Sequence, residues 1–263
     1  MATISFVGTG HITAAIVAGF CGLPSPPAHI LVGPRNAATA ADLARRYAQV
    51  TVASDNQNAV DEGDWVVLAV RPQIAQEVVR TLKFKPGQRV LSLIAPVDDD
   101  WLDDAVAPAR LAARIFVMPS VEARTGPVMI LPHDAEVANL LRPLGRLVAA
   151  RDRREFLALW SVTALIAPYY GFLAGAADWA AAKGAQTQTA TAFAAASFQA
   201  LGAMADRPDA PSPTELAQHA QTPGGLNEQV MRELAAGNWF GAVGSSLDGI
   251  LERLEGKVRG PKA

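Results

Sequence analysis

The fold is decided near the start of the chain, by the stretch Ile4-Ser5-Phe6-Val7-Gly8-Thr9-Gly10-His11-Ile12-Thr13. Its apolar run predicts a buried strand, and the G-x-G-x-x-T that follows is a variant of the dinucleotide-binding fingerprint. Gly8 allows the tight turn, and Gly10 lets the backbone approach a pyrophosphate that the N–H groups of the next helix face. Thr13 stands where a third Gly or Ala is usual, and an ordinary strand-to-helix turn is the alternative interpretation. The residues expected to contact the cofactor are Gly8, Thr9, Gly10, His11 and Ile12.

Strand and helix patterns alternate through the first half of the chain. Five further apolar runs lie at Ile30–Val32, Val50–Ala53, Trp65–Val70, Val90–Leu93 and Leu111–Val117. The helix-like segments between the runs are Thr13–Phe20, Ala37–Tyr47, Ile74–Leu82 and Asp98–Val106. This alternation predicts βαβ units in a Rossmann-type doubly wound parallel sheet, and the continuous apolar runs fit strands covered on both faces.

The pattern changes at Asp134. We expect one helix over Asp134–Leu147 and a short strand at Leu147–Ala150, after which the chain is almost wholly helical. The proline-rich segment 207–213 separates two of these helices. The predicted fold class is therefore α/β, with a dinucleotide-binding (Rossmann) domain at 1–152 followed by an all-α domain at 153–263.

Two stretches of the helical half carry no charge, Phe156–Ala177 and Gly184–Ala205. The first is long enough to span a bilayer, but proline, hydroxyl and amide side chains interrupt the apolar character of both. We therefore expect no membrane partner and a pair of helices buried on nearly all sides. A monomer of this size rarely hides two such helices, so we expect them at a subunit interface.

Composition narrows the classes of function. Apolar residues make up 50% of the 263 residues and charged residues 18%, which excludes a disordered chain. The net charge of −2 provides no basic stripe for nucleic acid. One cysteine and four scattered histidines exclude an internal disulfide and a Cys-rich zinc site, and we expect no metal. A single cysteine fits a reducing cytosol, and the first residues have no basic segment of the signal-peptide type, so we expect a cytoplasmic protein.

The end of the second strand indicates which dinucleotide is bound. An NAD-specific site usually has an Asp or Glu there for the ribose hydroxyls, whereas this chain has Gly33-Pro34-Arg35-Asn36. The Arg35 guanidinium can hold a 2′-phosphate bidentately, so we expect NADP(H); a solvent-exposed Arg at a helix start is the alternative. Later strands end at the same rim, where open α/β sheets bind ligands. Their ends are Val70-Arg71-Pro72-Gln73, Ser92-Leu93-Ile94-Ala95-Pro96 and Met118-Pro119-Ser120.

Seven motifs, in order along nearly the whole chain, carry a family resemblance. They are Gly8-Thr9-Gly10, Pro34-Arg35, Asn56, Val70-Arg71-Pro72-Gln73, Met118-Pro119-Ser120-Val121-Glu122, Ala164-Leu165-Ile166-Ala167-Pro168-Tyr169-Tyr170 and Thr222-Pro223-Gly224-Gly225-Leu226-Asn227. Through them the chain resembles the pyrroline-5-carboxylate reductase family. The last motif is the most specific, because its Pro-Gly-Gly lies at the right distance after a long helical run.

The resemblance implies reduction of the C=N bond of a cyclic imine by NAD(P)H, by default 1-pyrroline-5-carboxylate to L-proline in proline biosynthesis. It implies a homodimer or larger assembly interlocked through the helical domain. The active site would then lie between the nucleotide domain and the partner's helices. Cofactor contacts implied beyond the first loop are Arg35, Asn56, Ala69, Val70, Arg71, Pro72 and Ser120.

The substrate half departs from the family pattern more than the cofactor half does. Backbone N–H groups of a Gly-Gly loop at a helix start can bind a substrate carboxylate. The residues expected to contact substrate are Gly224, Gly225, Leu226 and Asn227. Asn227 replaces the family's last Thr, which donates to the imine nitrogen, and Tyr170 keeps the family's Tyr; we expect both to be catalytic. An amide cannot release a proton, so the proton comes from water, Tyr170 or Glu228.

Other interpretations stay open. The family's Ser-Gly-Ser is Ala164-Leu165-Ile166 here, and Ser120 replaces an Asn that contacts the nicotinamide amide. The chain could therefore be a paralogue that reduces a different imine, or an NADP-binding protein without catalysis. A β-hydroxyacid dehydrogenase needs a catalytic Lys with Asn or Asp four residues later. Lys183 is followed by Gly184-Ala185-Gln186-Thr187, so that pattern fails.

Overall fold

The computed structural model describes residues 2–94 and 99–256. These residues form two compact units that adjoin in sequence at Ala158 and Leu159. The first unit has both strands and helices, and the second is helical.

Eight strands form one sheet in the first unit: β1 (Ile4–Val7), β2 (Ile30–Val32), β3 (Val50–Val52), β4 (Trp65–Leu68), β5 (Arg89–Ser92), β6 (Arg110–Val117), β7 (Pro127–Leu131) and β8 (Arg146–Ala149). Their spatial order is β3-β2-β1-β4-β5-β6-β7-β8. Neighbouring strands are parallel except for the antiparallel pair β6–β7. The helices of this unit are α1 (His11–Cys21), α2 (Ala37–Arg46), α3 (Asn56–Glu62), α4 (Pro72–Val79), α5 (Asp99–Val106) and α6 (Ala135–Leu141).

Alternate residues of the strands supply two separate buried clusters. Phe6 of β1 and Phe20 of α1 belong to one cluster, whereas Val7 of β1 and Leu68 of β4 belong to the other. The strands β1, β2 and β4 are buried along their whole length, as parallel strands covered on both faces should be. The predicted Rossmann-type fold class is confirmed, with β7 as an antiparallel addition.

The structure differs from the sequence-based expectation at three places. β7 and α3 belong to no predicted element, and the predicted helix Asp134–Leu147 is wrong. α6 ends at Leu141, and Pro143 follows in a short 3₁₀ turn, because a proline ring prevents the helix from continuing. β8 then begins at Arg146, close to the expected strand. β7 is antiparallel to β6 because their connection is too short for the crossover that a parallel pair needs.

The second unit consists of helices. α7 (Arg153–Val162) crosses the junction between the units, and α8 (Ile166–Ala182), α9 (Thr187–Ala205), α10 (Pro213–His219), α11 (Leu226–Ala236) and α12 (Trp239–Leu254) follow. Small side chains hold α8 against α9, since Ala177, Ala190 and Ala194 form a buried cluster there. Leu173 and Ala180 pack against that cluster.

Within one chain, α8 and α9 leave their large apolar side chains uncovered. Trp179 is 66% exposed and Phe193 is 76% exposed. The continuous helical stretch Arg153–Ala182 is apolar and long enough to cross a membrane by length and composition, and 17% of its most apolar window is buried. The described residues of one chain therefore do not supply the burial that the sequence predicts for these helices.

Candidate functional site

The first loop after β1 is held in a conformation that only glycine adopts easily. Gly8 has a φ of 102°, and a Cβ atom there would lie 2.6 Å from the carbonyl oxygen of Ala69. The Ala69 N–H in turn donates to the carbonyl of Val7 at 2.9 Å. The end of β4 is thereby brought against the loop, which places Ala69 and Val70 beside it.

Two buried threonine hydroxyls fix this loop from both sides. The Thr9 hydroxyl donates to the carbonyl of Gly33 at 2.5 Å, and the Thr13 hydroxyl donates to the carbonyl of Gly8 at 2.8 Å. Thr9 is 3% exposed and Thr13 is fully buried. The side chain of Thr9 therefore joins the loop to the end of β2, and only its backbone is left for a cofactor. Gly33 was not among the sequence-predicted residues, although the glycine directly after an apolar strand is a usable signal.

The outer side of the loop is open. Gly10 is exposed, and a Cβ atom built on it would meet no atom within 4 Å. It precedes α1 as the N-cap residue, and no side chain caps that helix. His11 is exposed and Ile12 is partly buried. An uncapped helix N-terminus with free space before it is suited to phosphate groups.

Polar groups after β2 and at the start of α3 fit the adenosine side of a dinucleotide. The Oδ1 atom of Asn56 is buried and has no hydrogen-bond partner among the described residues. It lies beside Gly33, where a Cβ atom would be 3.0 Å away from it. A buried acceptor without a donor is costly, and a ribose hydroxyl is a donor that would satisfy it. Arg35 is exposed, and no ion pair engages it within residues 2–94 and 99–256.

Two further strand ends reach the same rim of the sheet. Arg71 is the exposed N-cap residue of α4, and Pro72 is the first residue of that helix. Ser120 lies in the 3₁₀ turn Pro119–Ala123 after β6. Its hydroxyl donates to the carbonyl of Thr125 at 3.0 Å, so it stabilises its own turn. The expected rim residues Ala95 and Pro96 lie outside the described residues.

In the second unit, the Pro-Gly-Gly loop joins α10 to α11. Gly224 has a φ of 71°, and its N–H donates to Oε2 of Glu228 at 2.6 Å. The N–H of Gly225 donates to the carbonyl of Thr222 at 2.8 Å. The Asn227 side-chain N–H donates to the carbonyl of Ala220 at 3.0 Å. The loop is therefore tied together by its own backbone and by two side chains of α11.

The predicted substrate residue Leu226 and the predicted catalytic residue Tyr170 are exposed in this chain. Leu226 is 84% exposed and Tyr170 is 63% exposed. The Tyr170 ring contacts Tyr169 edge to face, with ring centroids 5.3 Å apart, and Tyr169 similarly contacts Phe198. Within the part of the chain that the structure describes, no aromatic contact or hydrogen bond joins Tyr170 to the Pro-Gly-Gly loop.

A cavity of about 480 Å³ lies elsewhere in the first unit, at the amino ends of β5 and β6. Its charged side chains are already paired. Arg89 donates to both carboxylate oxygens of Glu136, at 2.6 and 2.9 Å, and Arg110 donates to Asp134 at 2.7 Å. The hydrogen bond from Arg89 holds the pKa of Glu136 below its usual value. This cluster is structural, and among the described residues no group of His, Cys, Asp and Glu could hold a metal ion.

Comparison with known proteins adds family assignments to this geometry. Residues 3–96 match the family model "NADP oxidoreductase coenzyme F420-dependent", and residues 160–256 match "Pyrroline-5-carboxylate reductase dimerisation". The pyrroline-5-carboxylate reductase of Pseudomonas aeruginosa is 27% identical over 95% of this chain and 94% of its own.

Solved structures of low sequence identity share the fold. A pyrroline-5-carboxylate reductase from Coxiella burnetii is 21% identical and superposes with a TM-score of 0.82, over 98% of this chain and 99% of its own. A pyrroline carboxylate reductase from Plasmodium falciparum, solved with NADP bound, is 15% identical with a TM-score of 0.79, over 97% of this chain and 98% of its own.

Proposed function

We propose that the chain is a member of the pyrroline-5-carboxylate reductase family and that it reduces 1-pyrroline-5-carboxylate to L-proline with NADPH. The strongest support for this proposal is the presence of two loops in the same chain. A dinucleotide loop opens the first unit, and a Pro-Gly-Gly loop opens helix α11 in the second. The proposed domains are 1–152 for the cofactor and 153–263 for dimerisation and substrate.

The first unit would hold the cofactor along the carboxyl rim of the sheet. The backbone of residues 8–12 and the start of α1 would bind the pyrophosphate, because that end of the helix is uncapped and open. Arg35 would bind the 2′-phosphate, and Asn56 Oδ1 would accept from a ribose hydroxyl. The residues proposed for the nicotinamide half are Ala69, Val70, Arg71, Pro72 and Ser120. The bound reduced nicotinamide supplies a hydride to the carbon of the C=N bond.

The second unit would hold the substrate at the start of α11. Leu226 and Asn227 are the first two residues of that helix, and no side chain caps it. Their N–H groups, aided by the helix dipole, suit the substrate carboxylate. Anchored at Ala220, the Asn227 amide leaves its Oδ1 as an acceptor for the N–H of a protonated imine. The proposed proton sources are water and the exposed hydroxyl of Tyr170, since the third candidate, the Glu228 carboxylate, accepts a hydrogen bond from the Gly224 N–H.

The partner would be a second copy of this chain. The match to a dimerisation family covers residues 160–256, and α8 and α9 expose aromatic side chains that a single chain leaves in water. Contiguous apolar surface of this kind marks an interface. We propose a cytoplasmic homodimer or a larger assembly built from such dimers.

Turnover of a panel of cyclic imines tests the function. Consumption of NADPH is followed with 1-pyrroline-5-carboxylate, with 1-pyrroline and with a six-membered cyclic imine. The proposed function predicts turnover of 1-pyrroline-5-carboxylate with formation of L-proline. Turnover of another imine alone would assign the chain to a different substrate, as the substitutions at Leu226 and Asn227 permit. NADPH binding without any turnover would indicate a non-catalytic protein.

A further inference from the structure

The glycine loop of the second unit already holds a carboxylate, and that carboxylate belongs to the chain itself. Glu228 Oε2 lies 2.6 Å from the N–H of Gly224, a short distance typical of a hydrogen bond to a charged acceptor. Glu228 is half-buried and lies in the first turn of α11. The Glu228 carboxylate therefore accepts from the Gly224 N–H, a donor that the sequence predicts to bind the substrate.

The donors that remain are few and lie beside this negative charge. The N–H of Gly225 is taken by the carbonyl of Thr222. Within the described residues, no acceptor meets the N–H groups of Leu226 and Asn227, which begin α11. A substrate carboxylate bound to these two groups would share the first helical turn with Glu228. Two negative charges within one helical turn repel each other.

A second observation points the same way. The Asn227 side chain donates its N–H to the Ala220 carbonyl at 3.0 Å, and only a donor can face a carbonyl oxygen. The Oδ1 atom of Asn227, which accepts hydrogen bonds, and the second N–H of the amide are left for a ligand. The Glu228 carboxylate and the Asn227 Oδ1 both offer acceptors that suit a protonated ring nitrogen, and the negative charge of Glu228 opposes an anion.

We infer that Glu228 is a specificity-determining residue, whose carboxylate competes with the carboxylate of the substrate and narrows the preference for carboxylated over carboxylate-free cyclic imines. The inference rests on the proposed function, because it takes the Pro-Gly-Gly loop as the substrate site. When a carboxylated ring binds, either the Glu228–Gly224 hydrogen bond must break or two carboxylates must lie close to each other. A ring without a carboxylate requires neither.

Two variants separate the charge of Glu228 from its hydrogen bond. Glu228→Gln keeps an acceptor for the Gly224 N–H without the charge, so the loop keeps its shape. Glu228→Ala removes both. Glu233→Gln is the matched control, since Glu233 lies on the same helix and is bonded to Gln229 at 2.9 Å. Calorimetry measures the dissociation constants of L-proline and of pyrrolidine, its carboxylate-free analogue, for the full-length protein saturated with NADP. KM is measured in parallel for 1-pyrroline-5-carboxylate and 1-pyrroline.

The selectivity ratio is the deciding quantity. We expect the Kd of pyrrolidine divided by the Kd of L-proline to rise about tenfold in both Glu228 variants, a size typical of one charge-pair interaction. The KM for 1-pyrroline divided by the KM for 1-pyrroline-5-carboxylate should also rise in both Glu228 variants. In Glu233→Gln, both ratios should equal those of the wild type. An unchanged ratio, or no binding of L-proline by any variant, overturns the inference. A wild type that reduces no imine overturns the proposed function, whereas the binding ratio still decides the role of Glu228.

Discussion

The hydroxyl of Thr13 donates to the carbonyl oxygen of Gly8 across 2.8 Å and closes the turn between β1 and α1. Thr13 occupies the third position of the fingerprint, where Gly or Ala is usual, and it is fully buried. Its hydroxyl replaces a purely steric role with a hydrogen bond. The substitution that weakens the sequence motif is therefore a stabilising feature of the loop.

Thr13→Val removes this hydrogen bond at nearly constant volume. We expect the free energy of unfolding of the first unit to fall by about 1–3 kcal/mol, because the Gly8 carbonyl loses a buried donor. The Kd for NADPH should rise in the same variant, since the loop is less firmly held. Thr13→Ser keeps the hydroxyl and is the control. Denaturant unfolding and cofactor titration measure the two effects, and equal stability of the Val and Ser variants would contradict the assignment.

Replacement by alanine should affect Gly8 and Gly10 in different ways, lowering the stability of the fold at Gly8 and the affinity for NADPH at Gly10. Gly8→Ala combines a φ of 102° with a Cβ atom 2.6 Å from the Ala69 carbonyl, so we expect it to destabilise the fold by about 2 kcal/mol or more. Gly10→Ala meets no atom within 4 Å and should fold normally, but its methyl group enters the space proposed for the pyrophosphate. Its defect should appear in NADPH affinity. Melting temperature and Kd measured together distinguish the two cases, and full NADPH affinity in Gly10→Ala would remove the proposed phosphate site.

Arg35→Ala tests the preference for NADPH. Loss of a charge-assisted contact to the 2′-phosphate is worth about 1.5–3 kcal/mol, so the Kd for NADPH should rise by about 10- to 100-fold. The Kd for NADH should change by less than about threefold, because NADH has no phosphate at that position. Arg45→Ala is the control, since Arg45 on α2 is already paired with Asp42. An equal loss for both cofactors would contradict the assignment.

The thiol of Cys21 should react slowly with alkylating reagents in the folded protein. Burial raises the pKa of its thiol to about 11, and the nearby Arg46 offsets part of that effect. The thiolate fraction at pH 8 is then about 100-fold below that of an ordinary cysteine, and alkylation by iodoacetamide should be slower by a similar factor. The same protein unfolded in guanidinium is the control. Since the folded state holds this proton more tightly, stability should begin to fall as the pH rises above about 9 and continue to fall toward pH 11.

Phe193→Glu tests the proposed assembly. Phe193 is 76% exposed on α9, so its replacement should leave the fold of a single chain intact. A charge placed in an apolar interface should raise the dimer dissociation constant by more than about 100-fold. Gln188→Glu places the same charge near the start of α9 and is the control. Sedimentation measures the change, and an unaltered dimer would place the interface elsewhere.

The sequence predicts strands well where the chain is buried on both faces. β1 and β2 lie where their apolar runs place them, because such runs have no other stable position in this fold. α6 ends earlier than the apolar pattern predicts because Pro143 follows it, and that pattern takes no account of proline. β7 has a usable signal in Pro127–Leu131, an unbroken apolar run.

The candidate site divides in the same way. The glycine spacing predicts the first loop because backbone geometry requires glycine at Gly8. The bond between Glu228 and Gly224 is not predictable from residue types, because a first-turn acid commonly only complements the helix dipole. Whether a side chain turns back to the loop depends on the path of the chain between α10 and α11.

The bond from Thr9 to the Gly33 carbonyl also has a kinetic consequence. With the loop anchored to β2 before any nucleotide arrives, little backbone entropy is lost on association, and no slow rearrangement has to precede it. Capture of the dinucleotide should then follow a single concentration-dependent phase, and differences in affinity among loop variants should appear in the dissociation rate.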